Sequence, residues 1–177
     1  MTVKQANQKS LQEIIRVNHA GEFGAKVIYA GQIAALKLKK DHQTLELVEE
    51  MKKQEDVHFE YFDEQLKKQK IRPTIMQPIW RVGGFALGFL TALADKRAAM
   101  ACTTAVEEVI DEHYQSQLNS LKEEKDLKEK IEKFRAEELE HRDIGYKNHA
   151  AEIKYFKPLT TFIKATTKFA ITVSKKI

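Results

Sequence analysis

The sequence predicts an all-α protein built as a four-helix bundle, and three observations point there. Glycine and proline are scarce, 7 and 3 among 177 residues, too few breaks for a turn-rich β fold. Apolar residues recur in steps of three and four over long stretches, the period of a helix with one buried face. The chain also writes one pattern twice: a glutamate, then Glu-x-x-His about thirty residues later. Glu22 precedes Glu55-x-x-His58 by 33 residues, and Glu107 precedes Glu138-x-x-His141 by 31. On a helix, Glu-x-x-His places a carboxylate and an imidazole one turn apart on the same face. Two such sets are the ligand arrangement of a di-metal carboxylate site inside a bundle.

Composition narrows the classes further. A length of 177 residues suits one domain, 1–177, with a sizeable core. The net charge of +4 is mild, and lysines alternate with glutamates, so nucleic-acid binding has no support. A single cysteine, Cys102 in AMACTTAV, excludes an internal disulfide and reads as a small core residue. The N-terminal MTVKQANQKS lacks the apolar stretch of a secretory signal and the arginines of a transit peptide, so the chain is expected to stay in the compartment of its synthesis.

Ser10 to Glu13 has capping-box spacing, so the first helix is expected over about 10–40. Its stripe reads Leu11, Ile15, Ala25, Tyr29, Ile33 and Leu36, with Asn18 and Glu22 on the same face. Gly21, Gly24 and Gly31 each cost about 1 kcal/mol against alanine in a helix. The unbroken periodicity implies close packing there, or room beside a ligand. A second helix is expected over about 43–71, ending before Pro73. Its stripe is Val48, Met51, Glu55, His58, Phe62 and Leu66, so Glu55 and His58 stand in core places.

Residues 73–96 form an apolar connection centred on VGGFALGFLTALA, shorter than the roughly 20 residues that cross a bilayer. It reads either as a buried crossover between bundle halves or as a segment dipping into lipid. A third bundle helix is expected over about 97–122, with Met100, Thr103, Glu107, Ile110, Tyr114 and Leu121 in phase. That phase makes Glu107 the inward glutamate and leaves Glu108 outside. His113 falls just beside the stripe, outside the ligand set but near it. The fourth helix, about 126–150, opens on the capping-box-like Asp126 to Glu129 and reads Leu127, Ile131, Phe134, Glu138, His141 and Gly145. Glu137 and Glu140 point elsewhere in this phase. A C-terminal amphipathic helix, about 158–175, carries Leu159, Phe162, Ile163, Phe169 and Ile171 among lysines, and either caps the bundle or rests on an anionic membrane.

Glutamates on apolar stripes need compensation, because each buried, unpaired carboxylate costs several kcal/mol and four together repel. Two divalent ions balance four carboxylates, and His58 and His141 supply one nitrogen to each. One Glu-x-x-His is common by chance; two, each in phase and each with an upstream inward glutamate, are not. An oxygen-rich set of this kind suits iron or manganese better than zinc. His19, one turn from Glu22 but off the stripe, is expected on the surface or just outside the ligand set. Such a centre serves either O2-dependent oxygen insertion or simple iron oxidation.

The segments IIRVNHAGEFGAKVIYAGQ, QEDVHFEYF, ACTTAVEEVIDEHY, FRAEELEHRDIGY and PTIMQPIWRVGGFALGFLTAL closely resemble the demethoxyubiquinone hydroxylases of ubiquinone biosynthesis. The resemblance spans nearly the whole chain and implies a ferritin-like di-iron monooxygenase. Its metal ligands would be Glu22, Glu55, His58, Glu107, Glu138 and His141, the set periodicity selects, with His113 and Tyr114 near the site. It implies O2 as co-substrate, a polyprenylated methoxy-methyl-benzoquinol as substrate, NADH as reductant and other ubiquinone-biosynthesis proteins as partners. It further implies peripheral attachment to the cytoplasmic face of a bacterial inner membrane. No glycine-rich nucleotide motif accompanies the NADH expectation. A ferritin-like ferroxidase or iron store is the rival reading, and a quinone-carrying bundle without redox turnover a third.

Overall fold

The computed structural model describes residues 3–121 and 123–176. Among them are six α-helices and no strands: α1 (Val3–Lys39), α2 (His42–Gln69), α3 (Gln77–Ala94), α4 (Lys96–Leu118), α5 (Lys125–Lys147) and α6 (Phe156–Lys176), with a 3-10 turn at Ala150–Glu152. Short connections join α1 to α2 and α4 to α5, so each pair runs antiparallel. The two pairs face each other, and α3 crosses between them as it packs along α1. Finally, α6 lies across α4 and α1. The expected ferritin-like all-α bundle is the architecture observed.

The predicted stripes become the core. In α2 the buried residues are Thr44, Val48, Met51, Glu55, His58, Phe62 and Leu66. In α5 they are Leu127, Ile131, Phe134, Glu138, His141 and Gly145. Helix boundaries depart more. The first helix starts at Val3, with Ser10 and Glu13 inside it, because nothing upstream breaks the helix and the capping-box spacing has no end to cap. Helix α2 is capped instead by Asp41, whose carboxylate accepts the Thr44 N–H at 3.2 Å, and it ends where Lys70 turns left-handed. The third bundle helix stops at Leu118, before the expected residue 122, which lies outside the described residues. Helix α5 starts one residue before Asp126, without a side-chain cap, and ends at Lys147 as His149 takes φ 65°. Cys102 is buried, and burial pushes its thiol up to about 12.

The apolar connection is itself a helix. Only Gly88, Thr91 and Ala92 of α3 are buried, while Val82, Leu90 and Ile79 are 71%, 61% and 55% exposed. It is therefore neither a fully buried crossover nor a span, and no described helix is long and apolar enough to cross a membrane. Glycine sets its approach to α1. A Cβ on Gly88 would strike the Ile28 carbonyl, and one on Gly31 would strike that of Phe85. Lys39 at the end of α1 donates to the Ala92 and Leu93 carbonyls, 3.2 Å each, satisfying the last turn of α3. At the opposite end, the Trp80 indole N–H donates to Ser174 Oγ on α6 at 3.1 Å. Lys168–Glu112 (2.8 Å) and Lys164–Glu108 tie α6 to α4.

Between α1, α3, α4 and α6 lies a cavity of about 280 Å³ with an apolar lining that includes Gly21, Gly24, Ile28, Val106, Ile110 and Phe162. Gly21 and Gly24 meet no atom within 4 Å of where a Cβ would stand. Both roles expected for the α1 glycines are present, close packing at Gly31 and open space at Gly21 and Gly24. Gly88→Ala should therefore lower stability by about 1–3 kcal/mol through overpacking, while Gly21→Ala should hold or raise it by up to about 1 kcal/mol through helix propensity. Thermal melts of the two variants check this; equal melting temperatures would contradict the α1–α3 contact.

Candidate metal centre

Six side chains from four helices converge in the bundle interior: Glu22 from α1, Glu55 and His58 from α2, Glu107 from α4, Glu138 and His141 from α5. None is more than 1% exposed. Their donor atoms fall into two groups, each within 4.8 Å: Glu22, Glu55, His58 and Glu138, then Glu55, Glu107, Glu138 and His141. Either group could hold a metal ion. Glu55 and Glu138 belong to both, whereas each upstream glutamate and each histidine belongs to one. The six residues that helical phase selects are brought together by the fold, and Glu108, which the phase leaves outside, accepts the Tyr146 hydroxyl at 2.7 Å and pairs with Lys164.

Hydrogen bonding within the cluster is conspicuously incomplete. Glu22 Oε2, both oxygens of Glu55, Glu107 Oε2, Glu138 Oε2 and His141 Nδ1 are buried without a hydrogen-bond partner. Unpartnered buried polar atoms are rare because each forfeits hydration without recompense; six aimed at one space fit cations well. Both imidazoles turn Nδ1 inward. His58 Nδ1 lies 3.0 Å from Glu138 Oε1 and 3.5 Å from Glu22 Oε2. His141 Nδ1 lies 3.1 Å from Glu55 Oε1 and 3.4 Å from Glu138 Oε2.

Protonation follows from this crowding. Burial raises the Glu55 carboxyl well above the carboxylate range, and repulsion from Glu138 adds to it. Glu107 is raised likewise by burial, then by Glu138 and Glu55. Burial acts the same way on Glu138, but the close approach of the His141 and His58 imidazoles reverses it and holds the group down at about 2. Burial disfavours charge on the histidines, yet Glu138 and Glu22 lift His58 to about 12, while Glu138 and Glu55 lift His141 to about 9. Without metal, then, burial favours the protonated forms of Glu55 and Glu107, and the neighbouring carboxylates favour protonated His58 and His141.

Around the six, the contacts are reciprocal. Tyr29 on α1 donates to Glu107 Oε1 on α4 at 2.7 Å, and Tyr114 on α4 donates to Glu22 Oε1 on α1. Burial beside these carboxylates raises both phenols, which keeps them donors. The outer nitrogens are held too. His58 Nε2 donates to Glu137 Oε2 at 2.8 Å, and His141 Nε2 to Gln54 Oε1 at 2.5 Å. The expectation that Glu137 points elsewhere is corrected here: it is 22% exposed, at the edge of the stripe, and reaches across to α2. Phe134 packs on the His58 ring with centroids 4.1 Å apart and helps keep water out.

Tyr29 had been visible only as an apolar-stripe residue. Its signal was the spacing: each upstream glutamate has a tyrosine seven residues on, Glu22 to Tyr29 and Glu107 to Tyr114. His113 makes no described hydrogen bond to the six. It accepts from Gln117 Nε2 at 2.6 Å, and Gln117 pairs with Asn18 through bonds of 2.9 and 2.7 Å. Burial, with Lys175 nearby, lowers His113 to about 4. His19 is not on the surface: it is buried against Phe59, with Asp63 3.5 Å from Nε2, and burial lowers its pKa.

Residues 9–174 match the family model described as "Ubiquinone biosynthesis protein COQ7". Among curated relatives, a Dictyostelium discoideum protein named NADPH-dependent 3-demethoxyubiquinone 3-hydroxylase, mitochondrial, is 44% identical across 98% of this chain and 81% of its own. The Rhodospirillum rubrum 3-demethoxyubiquinol 3-hydroxylase is 46% identical across 94% of this chain and 78% of its own. A Homo sapiens protein with the same name as the Dictyostelium one is 42% identical across 100% and 82%. Similarity of this depth, over the helices that carry all six inward residues, places the chain in the ubiquinone biosynthesis protein COQ7 family.

Proposed function

We propose that this chain is a di-iron monooxygenase that hydroxylates the ring of a polyprenylated demethoxyubiquinol. The observation that carries this reading is the sealed cluster of four glutamates and two histidines with six buried atoms lacking partners. Glu22 and His58 would serve one ion and Glu107 and His141 the other, with Glu55 and Glu138 shared by both. When bound, two iron ions supply the two-electron redox chemistry that O2 requires. One oxygen atom enters a ring C–H bond, and the other leaves as water with two protons and two electrons from the reductant. That reductant is a reduced nicotinamide; NADPH stands in the names of the mitochondrial relatives, where NADH was expected.

The chain's own residues prepare this chemistry. Burial of all six ligands excludes water, which protects reactive oxygen species from side reactions. Tyr29 and Tyr114 hold Glu107 and Glu22 through their hydroxyls, so neither carboxylate swings freely. The cavity beside α1 and α4 supports an apolar ring substrate over iron oxidation alone. Its lining includes Gly21 and Val106, the immediate chain neighbours of Glu22 and Glu107. Glycines there leave space for the ring, in a volume near the lower end of small-molecule pockets.

A greasy substrate comes from a membrane, and the exposed apolar residues support attachment there. Val82 and Leu90 on α3, with Phe162 and Phe169 on α6, are each more than 60% exposed, on two of the four helices that wall the cavity. Lys157, Lys175 and Lys176 of α6 suit an anionic surface, while Lys164 and Lys168 are engaged by Glu108 and Glu112. Attachment as a peripheral protein on the cytoplasmic face of a bacterial inner membrane goes with this reading, as do partners among other ubiquinone-biosynthesis proteins.

Anaerobic iron loading followed by demethoxyubiquinol and O2 should yield, by mass spectrometry, a product heavier by one oxygen atom; iron oxidation without that product would favour a ferroxidase. Glu107→Ala should lower turnover by at least about 100-fold, whereas Glu108→Ala, which loosens α6 at the surface, should stay within about threefold. Equal losses would show that the inward glutamate is misassigned. Val82→Glu combined with Leu90→Glu should reduce cosedimentation with anionic vesicles while leaving iron content unchanged, and undiminished vesicle binding would rule out α3 as the attachment surface.

A further inference from the structure

We propose that Glu137 and Gln54 are positioning residues that make the two ion positions unequal, with the position at His58 the tighter. The inference rests on the di-metal reading above and deepens it. The centre is close to two-fold: glutamate for glutamate, histidine for histidine, tyrosine for tyrosine. Each shared glutamate is preceded by a residue that reaches over to the histidine of the other helix, Gln54 before Glu55 and Glu137 before Glu138. Symmetry fails there. His58 donates to a carboxylate, and His141 donates to an amide oxygen.

Both contacts perform one shared task. A carboxylate or amide oxygen accepts only, so the proton sits on Nε2 and Nδ1 is left to face the ligand space. The rings are thereby fixed in tautomer and in orientation. The contacts differ in electronic effect. An imidazole whose outer N–H is bound to a carboxylate is a more basic ligand than one bound to a neutral acceptor. Glu137 also brings a negative charge to the His58 side, only partly answered by Lys133 at 3.5 Å. On the other side, Gln54 brings none. This carboxylate-for-amide exchange is the difference at the outer nitrogens of the two histidines, and it bears directly on their strength as ligands.

The test uses the full chain, stripped of metal and titrated anaerobically with ferrous iron against a competing chelator. The wild type should fill in two steps with dissociation constants about 10–100-fold apart. One equivalent of Mössbauer-active iron followed by one of silent iron should show a single quadrupole doublet. Glu137→Gln, which replaces the carboxylate by an amide of the same shape, should bring the two steps together and spread the label over both doublets. Gln54→Glu should also bring them together, by tightening the weaker step. Each variant's helical circular dichroism checks that it has folded. A wild type that fills both positions equally, or a Glu137→Gln variant that keeps the tight step and its single doublet, would overturn the proposal. Failure of the wild type to take up two ions at all would defeat the di-metal reading, and this proposal with it.

Discussion

Bringing four carboxylates into one buried space is the constraint that the rest of the molecule accommodates. Each would cost several kcal/mol if buried as a lone charge, and Glu22, Glu55, Glu107 and Glu138 are all essentially inaccessible. The chain tolerates them because positive charge is always at hand. When no metal provides it, the surrounding carboxylates favour protonated His58 and His141, and burial favours the neutral forms of Glu55 and Glu107. A bundle interior suits this arrangement, since every backbone polar group within a helix is already bonded and none competes for the inward oxygens.

The same constraint accounts for the pattern of contacts between helices. Each member of the cluster except Glu55 is hydrogen-bonded to a helix other than its own. Tyr29 on α1 and Tyr114 on α4 exchange bonds with the glutamates opposite, while Gln54 on α2 and Glu137 on α5 exchange bonds with the histidines opposite. Such crossed bonds lock the two antiparallel pairs together at the centre, where an ordinary bundle would rely on leucine packing. Outside that centre, α3 and α6 are specialised differently. They hold an apolar cavity against α1 and present apolar residues outward, which a bundle needing only a core would not require.

Much of this was legible in the sequence, for a definable reason. Helical periodicity reports which side faces inward, so a polar residue on an apolar stripe declares itself; Glu55, His58, Glu138 and His141 were found in this way, and Glu107 was separated from Glu108. Contacts at the edge of a stripe escape that logic. Glu137 is one residue from Glu138, about 100° round the helix, and only the crossing of α5 with α2 reveals that it reaches His58. Tyr29 passes for a core residue because its ring is one; its hydroxyl has a task that hydropathy cannot register. Helix ends were poorly legible as well. The spacing from Ser10 to Glu13 mimics a cap inside a continuous helix, and the end of α5 depends on a single left-handed His149.

Counting protons during metal binding tests the central claim most directly. Divalent ions compete with protons for these buried carboxylates and imidazoles, so loading the centre should release protons. The sign follows: protons compete with metal for these groups, so apparent affinity should rise with pH. Titration calorimetry in buffers of different ionisation enthalpy reads both quantities. Uptake of two ions with net proton release, and tighter binding at higher pH, is the predicted result. Metal binding that releases no protons and ignores pH would show that the ions sit elsewhere and that the buried carboxylates are balanced some other way.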